Sequence, residues 1–206
     1  MTTSTIDTPH GPARVQLHAA PEGTAGLLLG HGAGGGLTTA DLVTVTRAAQ
    51  DAGVHVALVE QPYRVAGKRA PAPAAQLDTA WLTVAEQLSR TWFDGLPLVF
   101  GGRSSGARVA CRTAAAGHAA AVLCLAFPVL PPKHRDNPAK SRLPELTAVA
   151  VPTLVIQGEK DRFGVPDTAD QHELVVLDGD HRLAGDLETL GRASGEWLRR
   201  VLRPFG

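Results

Sequence analysis

Short apolar runs recur along the chain, and the segments between them carry apolar residues at every third or fourth position. Each run is continuous rather than alternating with polar residues. This pattern is typical of strands that are covered on both faces, as in a parallel sheet flanked by helices. It predicts seven strands, over residues 13–18, 27–30, 54–59, 97–100, 121–127, 153–157 and 174–177.

Four helices are predicted between and after these strands. Their apolar positions are Leu42, Val45, Ala49 and Ala52 in the first, Leu77, Trp81, Val84 and Leu88 in the second, Ala107, Ala110, Cys111 and Ala114 in the third, and Leu187, Leu190, Trp197 and Val201 in the last. Thr38, followed three residues later by Asp41, resembles a capping box for the first helix. The alternation of strands and helices predicts a three-layer α/β fold with a mostly parallel central sheet of about seven strands, in a single domain over residues 1–206.

Composition and charge narrow the choice of partner. The 206 residues carry 20 Lys and Arg against 20 Asp and Glu, so the chain has no net charge to attract nucleic acid or an anionic membrane. A small molecule or a protein is the expected partner. The longest early apolar run, residues 27–29, is too short for a signal peptide or a membrane span, which predicts a cytoplasmic protein. Cys111 and Cys124 lie in apolar segments and are expected to be buried thiols in a reducing compartment.

The strongest chemical signal is the pentapeptide Gly102 to Gly106, which has the pattern G-x-S-x-G with Ser104 at its centre. It follows a predicted strand and opens a helix of small residues. A serine on such a tight turn needs glycine on both sides, because a Cβ there would collide with the neighbouring strand or helix. The turn would expose the Ser104 hydroxyl at the carboxyl edge of the sheet and direct the N–H of Ser105 at a developing oxyanion.

A serine hydroxyl is a weak nucleophile unless a base accepts its proton, so an imidazole oriented by a carboxylate is expected further along the chain. Asp161 follows one predicted strand, and His181 follows the next. His31 is an alternative base, although its position in a glycine-rich loop favours structural hydrogen bonding. The alternatives to Asp161 as the carboxylate are Glu159, Asp178 and Asp180.

A second glycine cluster, residues 30–36, follows the strand at 27–30. Its N–H groups at Ala33 or Gly34 are candidates for the second oxyanion donor. The same cluster also fits G-x-G-x-x-G, and Glu60 ends the next strand, which is the arrangement of a dinucleotide-binding protein. The candidate helix cap at Thr38 lies too far beyond the glycines for that alternative. No metal-binding motif and no phosphate-binding P-loop is recognisable, so no cofactor and no metal are predicted.

These motifs resemble those of the α/β-hydrolase superfamily over nearly the whole chain. The glycine cluster that begins at His31, taken with the serine motif and Arg108, is similar to a compact family that includes a testis-expressed protein and a subunit of a nuclear histone-acetyltransferase complex. The chain is also similar to dienelactone hydrolase-like enzymes. The resemblance implies an α/β-hydrolase fold and places Ser104, Asp161 and His181 in a Ser-His-Asp triad. Dienelactone hydrolases proper use cysteine where this chain has Ser104.

Only 25 residues, 128–152, separate two of the predicted strands at the position where many α/β-hydrolases insert a cap domain. That length is too short for a packed lid, so no cap domain and an open site are predicted. Two basic loops border the same sheet edge. Their basic residues are Arg64, Lys68 and Arg69 in the first loop and Lys133, Arg135, Lys140 and Arg142 in the second. A positively charged rim would attract an anionic substrate, and Arg64 and Arg69 are candidate substrate-binding residues.

The sequence therefore predicts a serine esterase or thioesterase that acts on a small, possibly anionic, acyl substrate. The expected partner is a small-molecule ester or thioester, with no nucleic acid and no membrane, and the oligomeric state is left open. The alternatives are a non-catalytic protein-interaction module of the same fold and, less favoured, a dinucleotide-binding protein.

Overall fold

A single eight-stranded sheet forms the centre of the computed structural model, which describes residues 1–167 and 172–205. The strands are β1 (Thr2–Thr8), β2 (Gly11–His18), β3 (Ala25–Gly30), β4 (Val54–Glu60), β5 (Leu98–Arg103), β6 (Ala121–Leu125), β7 (Thr153–Gly158) and β8 (Glu173–Leu177). Their order in the sheet is β1-β2-β4-β3-β5-β6-β7-β8. β1 pairs antiparallel with β2, and β2 pairs antiparallel with β4. The six strands from β3 to β8 are parallel, so their carboxyl ends meet at one edge.

The predicted mostly parallel sheet is confirmed, but it has one strand more than the seven expected. The missed strand is β1, an edge strand with the sequence TTSTIDT. Only Ile6 is buried in it, because its polar residues remain on the surface while the backbone pairs with β2. A hydrophobic-run criterion cannot detect a strand whose stabilisation comes from backbone pairing and one apolar contact.

The helices are α1 (Ala40–Asp51), α2 (Pro62–Val65), α3 (Ala74–Ser89), α4 (Ser105–Thr113), α5 (Leu143–Thr147) and α6 (Leu187–Leu202). The four longer helices are those predicted. The predicted capping box of Thr38 and Asp41 is wrong. The N-cap of α1 is Thr39, and its side chain makes no capping hydrogen bond. Asp41 instead lies 2.7 Å from the guanidinium of Arg103. Among the described residues, no helix is both long enough and apolar enough to cross a membrane.

Alternate residues of the parallel strands face opposite helix layers. Leu27 and Leu29 belong to one hydrophobic core with α1 and α6, whereas Leu28 belongs to the other with α3 and α4. In the second core, the rings of Trp81 and Phe100 pack edge to face with their centroids 5.5 Å apart. Burial on both faces explains why the strands β3 to β7 are mostly apolar in sequence, whereas β2 and the edge strand β8 keep several exposed or half-buried residues. This arrangement confirms the three-layer α/β architecture.

The segment between β6 and β7 contains two short 3-10 turns and α5, and it builds no separate cap domain. It is bound to α4 by charged contacts. Arg108 makes a two-pronged contact with Glu145 at 2.7 and 2.5 Å. Arg112 contacts Glu145 at 3.2 Å and Asp78 of α3 at 2.6 Å. These partly buried pairs fix the helix that follows Ser104 against its neighbours on both sides.

His31 ties together two loops at the carboxyl edge of the sheet. Its Nε2 accepts a hydrogen bond from the backbone N–H of Gln61 at 3.1 Å. Its Nδ1 therefore carries the proton and donates to the carbonyl of Gly32 at 2.7 Å. Nearby, the Tyr63 hydroxyl donates to the carbonyl of Ala33 at 2.9 Å. Both ring nitrogens of His31 are engaged, which gives this buried residue the structural role that its glycine-rich loop favours.

The buried His31 predicts a specific loss of stability in mild acid. Burial, reinforced by the nearby Arg64 charge, lowers the pKa of His31 below its ordinary value of 6.5. As the pH falls through that value, the unfolded chain binds a proton more readily than the folded chain does, so the free energy of unfolding decreases. We expect His31→Gln to weaken the dependence of Tm on pH below about 6.5.

Thermal unfolding of the wild type and variant across this range provides the measurement. His10→Gln, which replaces an exposed histidine, is the matched control and should leave the pH dependence of Tm as it is in the wild type. An unchanged pH dependence in His31→Gln would contradict the assignment.

Candidate active site

Ser104 occupies a sharp turn between β5 and α4. Its backbone has φ 53° and ψ −108°, and residues other than glycine rarely adopt such a positive φ. The Ser104 N–H donates to the carbonyl of Leu125 on β6 at 2.8 Å, which helps to hold the turn. The strand-to-helix context expected for the serine motif is confirmed.

Two glycines make this turn possible because the backbone of β5 approaches α4, and α4 approaches β3, very closely. A Cβ on Gly102 would lie 2.5 Å from the carbonyl carbon of Gly106. A Cβ on Gly106 would lie 2.5 Å from the carbonyl oxygen of Gly30. Both distances are far below van der Waals contact, as the sequence pattern predicts. The close packing directs the Ser104 side chain away from the sheet and into the loops at its carboxyl edge.

The structure brings Ser104, His181 and Asp161 into one hydrogen-bonded line. The His181 Nε2 lies 2.8 Å from the Ser104 Oγ, and its Nδ1 lies 2.7 Å from the Asp161 Oδ2. A carboxylate only accepts hydrogen bonds, so Nδ1 carries the ring proton and Nε2 is free to accept from the hydroxyl. The Asp161 side chain is fully buried, and that of His181 is 16% exposed. This arrangement can transfer the hydroxyl proton to the imidazole.

Gln157, which the sequence analysis missed, helps to orient Asp161. Its Nε2 donates to the Asp161 Oδ2 at 2.7 Å, and the backbone N–H of Phe163 donates to Oδ1 at 2.8 Å. The Gln157 amide also donates to the backbone carbonyls of Phe127 and Gly164. Its only sequence signal is a polar residue that directly follows the apolar run Leu154 to Ile156 in strand β7. The carboxylate thus has donors on both oxygens and a fixed direction.

Phe163 is a second residue that the sequence analysis missed. Its ring packs on the imidazole of His181, with the ring centroids 4.4 Å apart and the planes 42° from parallel. The guanidinium of Arg162 lies over the Phe163 ring, 5.2 Å from its centroid. Residue 163 follows Asp161 closely in a loop, where a phenylalanine carries no distinctive signal. The packing limits the rotation of His181 about its side-chain bonds.

The other candidate carboxylates lie in surface ion pairs. Glu159 and Asp178 contact the Lys160 ammonium at 2.7 and 2.9 Å. Asp180 contacts Arg182 at 3.0 Å. Hydrogen bonding to Lys160 and its charge lower the pKa of Asp178, and Arg182 does the same for the pKa of Asp180. Of the four candidates, only Asp161 is hydrogen-bonded to His181 in the described part of the chain.

The candidate oxyanion donors lie on two sides of Ser104. Ser105 is the first residue of α4, so its N–H has no acceptor within the helix. Ala33 and Gly34 form the middle of a turn closed by the N–H of Gly35 and the carbonyl of Gly32 at 3.2 Å. Within residues 1–167 and 172–205, the N–H groups at 33, 34 and 105 donate to no protein acceptor. A Cβ on Gly32 would lie 3.6 Å from that of Ser104, which sets this loop beside the hydroxyl.

The basic side chains predicted to form a charged rim differ in their contacts and exposure. Arg64 donates to the carbonyl of Lys68 in its own loop at 3.3 Å, and Arg69 is exposed. Neither is hydrogen-bonded to the Ser104–His181–Asp161 line among the described residues. Arg142 is half-buried, and burial together with the Arg108 charge lowers its pKa. Within the described ranges, no group of three or more His, Cys, Asp or Glu side chains has an arrangement suited to a metal ion.

Comparison with solved structures gives matches over nearly the full length. An α/β serine hydrolase homologue from Coxiella burnetii is 20% identical, with a TM-score of 0.77, over 96% of this chain and 97% of its own. Est1E from Butyrivibrio proteoclasticus is 16% identical, with a TM-score of 0.80, over 98% and 99%. A dienelactone hydrolase from Anabaena variabilis is 19% identical, with a TM-score of 0.73, over 97% and 96%. At these identities the likeness establishes the fold.

A search of curated proteins gave no significant match. A protein-family model described as an alpha/beta hydrolase domain matches residues 23–201, which include the turn at Ser104 and the loops carrying Asp161 and His181. The match covers most of the chain. The protein therefore belongs to the alpha/beta hydrolase family.

Proposed function

We propose that the chain, acting as one domain over residues 1–206, is a serine esterase or thioesterase that uses Ser104, His181 and Asp161 as a catalytic triad. The observation that carries this proposal is the continuous hydrogen-bonded line from the Ser104 hydroxyl through His181 to the buried Asp161 carboxylate. A scaffold protein needs no such line. Esterases among the solved structures of the same fold also support hydrolase chemistry.

In the proposed reaction, the Ser104 Oγ attacks the carbonyl carbon of the substrate while His181 accepts the hydroxyl proton. Collapse of the tetrahedral intermediate breaks the bond to the leaving group, which takes the proton from His181. Water then attacks the acyl-enzyme while His181 accepts its proton. Collapse of the second tetrahedral intermediate breaks the bond to the Ser104 Oγ, which takes the proton back from His181, and the acid product leaves. Asp161 orients the imidazole and stabilises its charged form throughout.

The negative charge on the carbonyl oxygen requires donors that are already in position. The N–H of Ser105 serves as one donor, and the N–H of Ala33 or Gly34 serves as the other. Each donor of this kind stabilises the transition state by about 3 kcal/mol. Their lack of protein acceptors supports this role, because a donor aimed at the site would otherwise have to exchange one partner for another during the reaction.

The proposed substrate is small or has a protruding acyl group, because the described segment between β6 and β7 builds no cap domain to enclose a long one. Basic side chains at Arg64 and Arg69 would favour an anionic acyl group. Est1E has been solved with ferulic acid bound to it, which is compatible with a small acyl group. The buried free thiols at positions 111 and 124 suit a cytoplasmic enzyme.

Removal of the nucleophile tests the proposal directly. We expect Ser104→Ala to lower kcat for short p-nitrophenyl esters or thioesters by about a thousandfold or more, with Tm close to that of the wild type. A fluorophosphonate probe should label the wild type at Ser104 and leave the variant unlabelled. Ser89→Ala, at the end of α3, is the matched control and should retain full activity and labelling. An unlabelled wild type would instead support the non-catalytic interaction module.

The basic rim predicts an electrostatic preference between substrates. We expect Arg69→Gln to lower kcat/KM for an ester with a free carboxylate about two- to fivefold and to leave a neutral ester of equal length unaffected. Added salt should reduce the difference between the two substrates, since the Debye length is about 10 Å at 0.1 M. Arg47→Gln, which removes an exposed charge from α1, is the control. Equal turnover of both esters at all salt concentrations would eliminate the proposed preference.

A further inference from the structure

We propose that Arg103 is a positioning residue, which holds the loop of His181 and the candidate oxyanion loop in their working geometry. The proposal rests on the proposed serine hydrolase function and adds a residue to it. Arg103 is the last residue of β5 and directly precedes Ser104. Its side chain is only 13% exposed, although it carries a full charge. Such burial is unfavourable unless specific partners compensate for it.

The first partner is the main chain of His181 itself. The Arg103 Nη2 donates to the backbone carbonyl of His181 at 3.1 Å. This contact joins β5 to the loop after β8, which is 78 positions further along the chain. The side-chain contact of His181 with Ser104 depends on where this loop lies. The guanidinium therefore fixes the backbone from which the imidazole extends.

The second contact is with the oxyanion loop. A Cβ on Gly32 would lie only 2.7 Å from the Arg103 Nη1 and 3.6 Å from the Cβ of Ser104. The guanidinium therefore occupies the space that a side chain at position 32 would need. A Cβ on Gly35 would also be near Nη1, at 3.9 Å. The loop that presents Ala33 and Gly34 thus rests against Arg103.

The third partner, Asp41, fixes the direction of the guanidinium. Its Oδ2 lies 2.7 Å from the Arg103 Nε, and its side chain is 1% exposed. These two atoms make an ion pair without a well-aligned hydrogen bond. The Asp41 Oδ1 accepts from the N–H of Leu42 in the first turn of α1, where the helix dipole favours a negative charge. Asp41 is therefore held in place before it contacts Arg103.

One planar group thus meets three separate segments, namely the His181 loop, the oxyanion loop and α1. An arginine can do this because its donors point in fixed and divergent directions, whereas a lysine offers a single flexible ammonium. Small displacements of catalytic groups lower rates steeply, by about a hundredfold for 1 Å. The effect should appear in kcat rather than in KM, because orientation matters most in the transition state.

Three variants test the proposal. We expect Arg103→Met to lower kcat and the rate of fluorophosphonate labelling at Ser104 about a hundredfold, with KM changed less than about threefold. Arg103→Lys should retain a Tm near that of the wild type yet recover only part of the rate. Asp41→Asn should reduce the rate as well, since it removes the charge that directs the guanidinium. Arg90→Met, which breaks an exposed pair with Glu86, is the matched control and should match the wild type.

Amide hydrogen exchange gives a readout that does not depend on activity. Arg103→Met should exchange faster than the wild type at residues 180–183 and 32–35, while the strand β6 remains protected. Wild-type rates, labelling and exchange in both Arg103→Met and Arg103→Lys would overturn the proposal and leave the serine hydrolase function intact. If Arg103→Met does not fold, wild-type rates, labelling and exchange in both Arg103→Lys and Asp41→Asn would overturn the proposal. A wild type that is not labelled would instead reject the hydrolase function, and with it any catalytic role for the loops that Arg103 contacts.

Discussion

The strained backbone of Ser104 is the constraint on which the rest of the site depends. A positive φ is an unfavourable backbone conformation for a serine, so the surrounding structure must hold Ser104 in it. The surroundings do so by close backbone packing, in which β3, β5 and α4 approach one another so closely that Gly102 and Gly106 have no room for a side chain. The sheet and α4 therefore fix the position of the hydroxyl, and the loops have only to supply its partners.

Those loops are fixed by buried polar contacts. His31 and Tyr63 bind the loop after β3 to the start of α2, Gln157 binds the carboxylate of Asp161, and Arg103 contacts the carbonyl of His181. Each contact satisfies a group that would be costly to bury alone, and each joins segments that are distant in sequence. The core determines where the strands end. The buried polar residues then determine how the loops continue beyond them.

The sequence was sufficient to predict those parts of the fold that depend on hydrophobic burial. Continuous apolar runs identified seven strands, and helical spacing identified the four long helices. The edge strand β1 was not predictable in this way, because only Ile6 in it is buried. The local sequence pattern predicts a helix cap at Thr38, where the structure has the cap at Thr39. Asp41 is instead committed to Arg103, a partner 62 positions away that no local pattern indicates.

The residues of the candidate site also fall into those that the sequence predicts and those that it does not. Ser104, Asp161 and His181 could be selected because each follows a strand, and the carboxyl ends of parallel strands share one edge. Gln157 and Phe163 could not, because their significance comes only from which groups they contact after folding.

The contacts of Arg108 and Arg112 with Glu145 have a kinetic consequence. In many enzymes, the segment above the active site opens and closes, and this movement limits the rate of turnover. Here the segment between β6 and β7 is held by these ion pairs against α4, the helix that follows Ser104, so we do not expect this segment to move as a lid in the proposed enzyme. In the proposed hydrolase, substrates and products would therefore exchange with solvent without waiting for a movement of this segment.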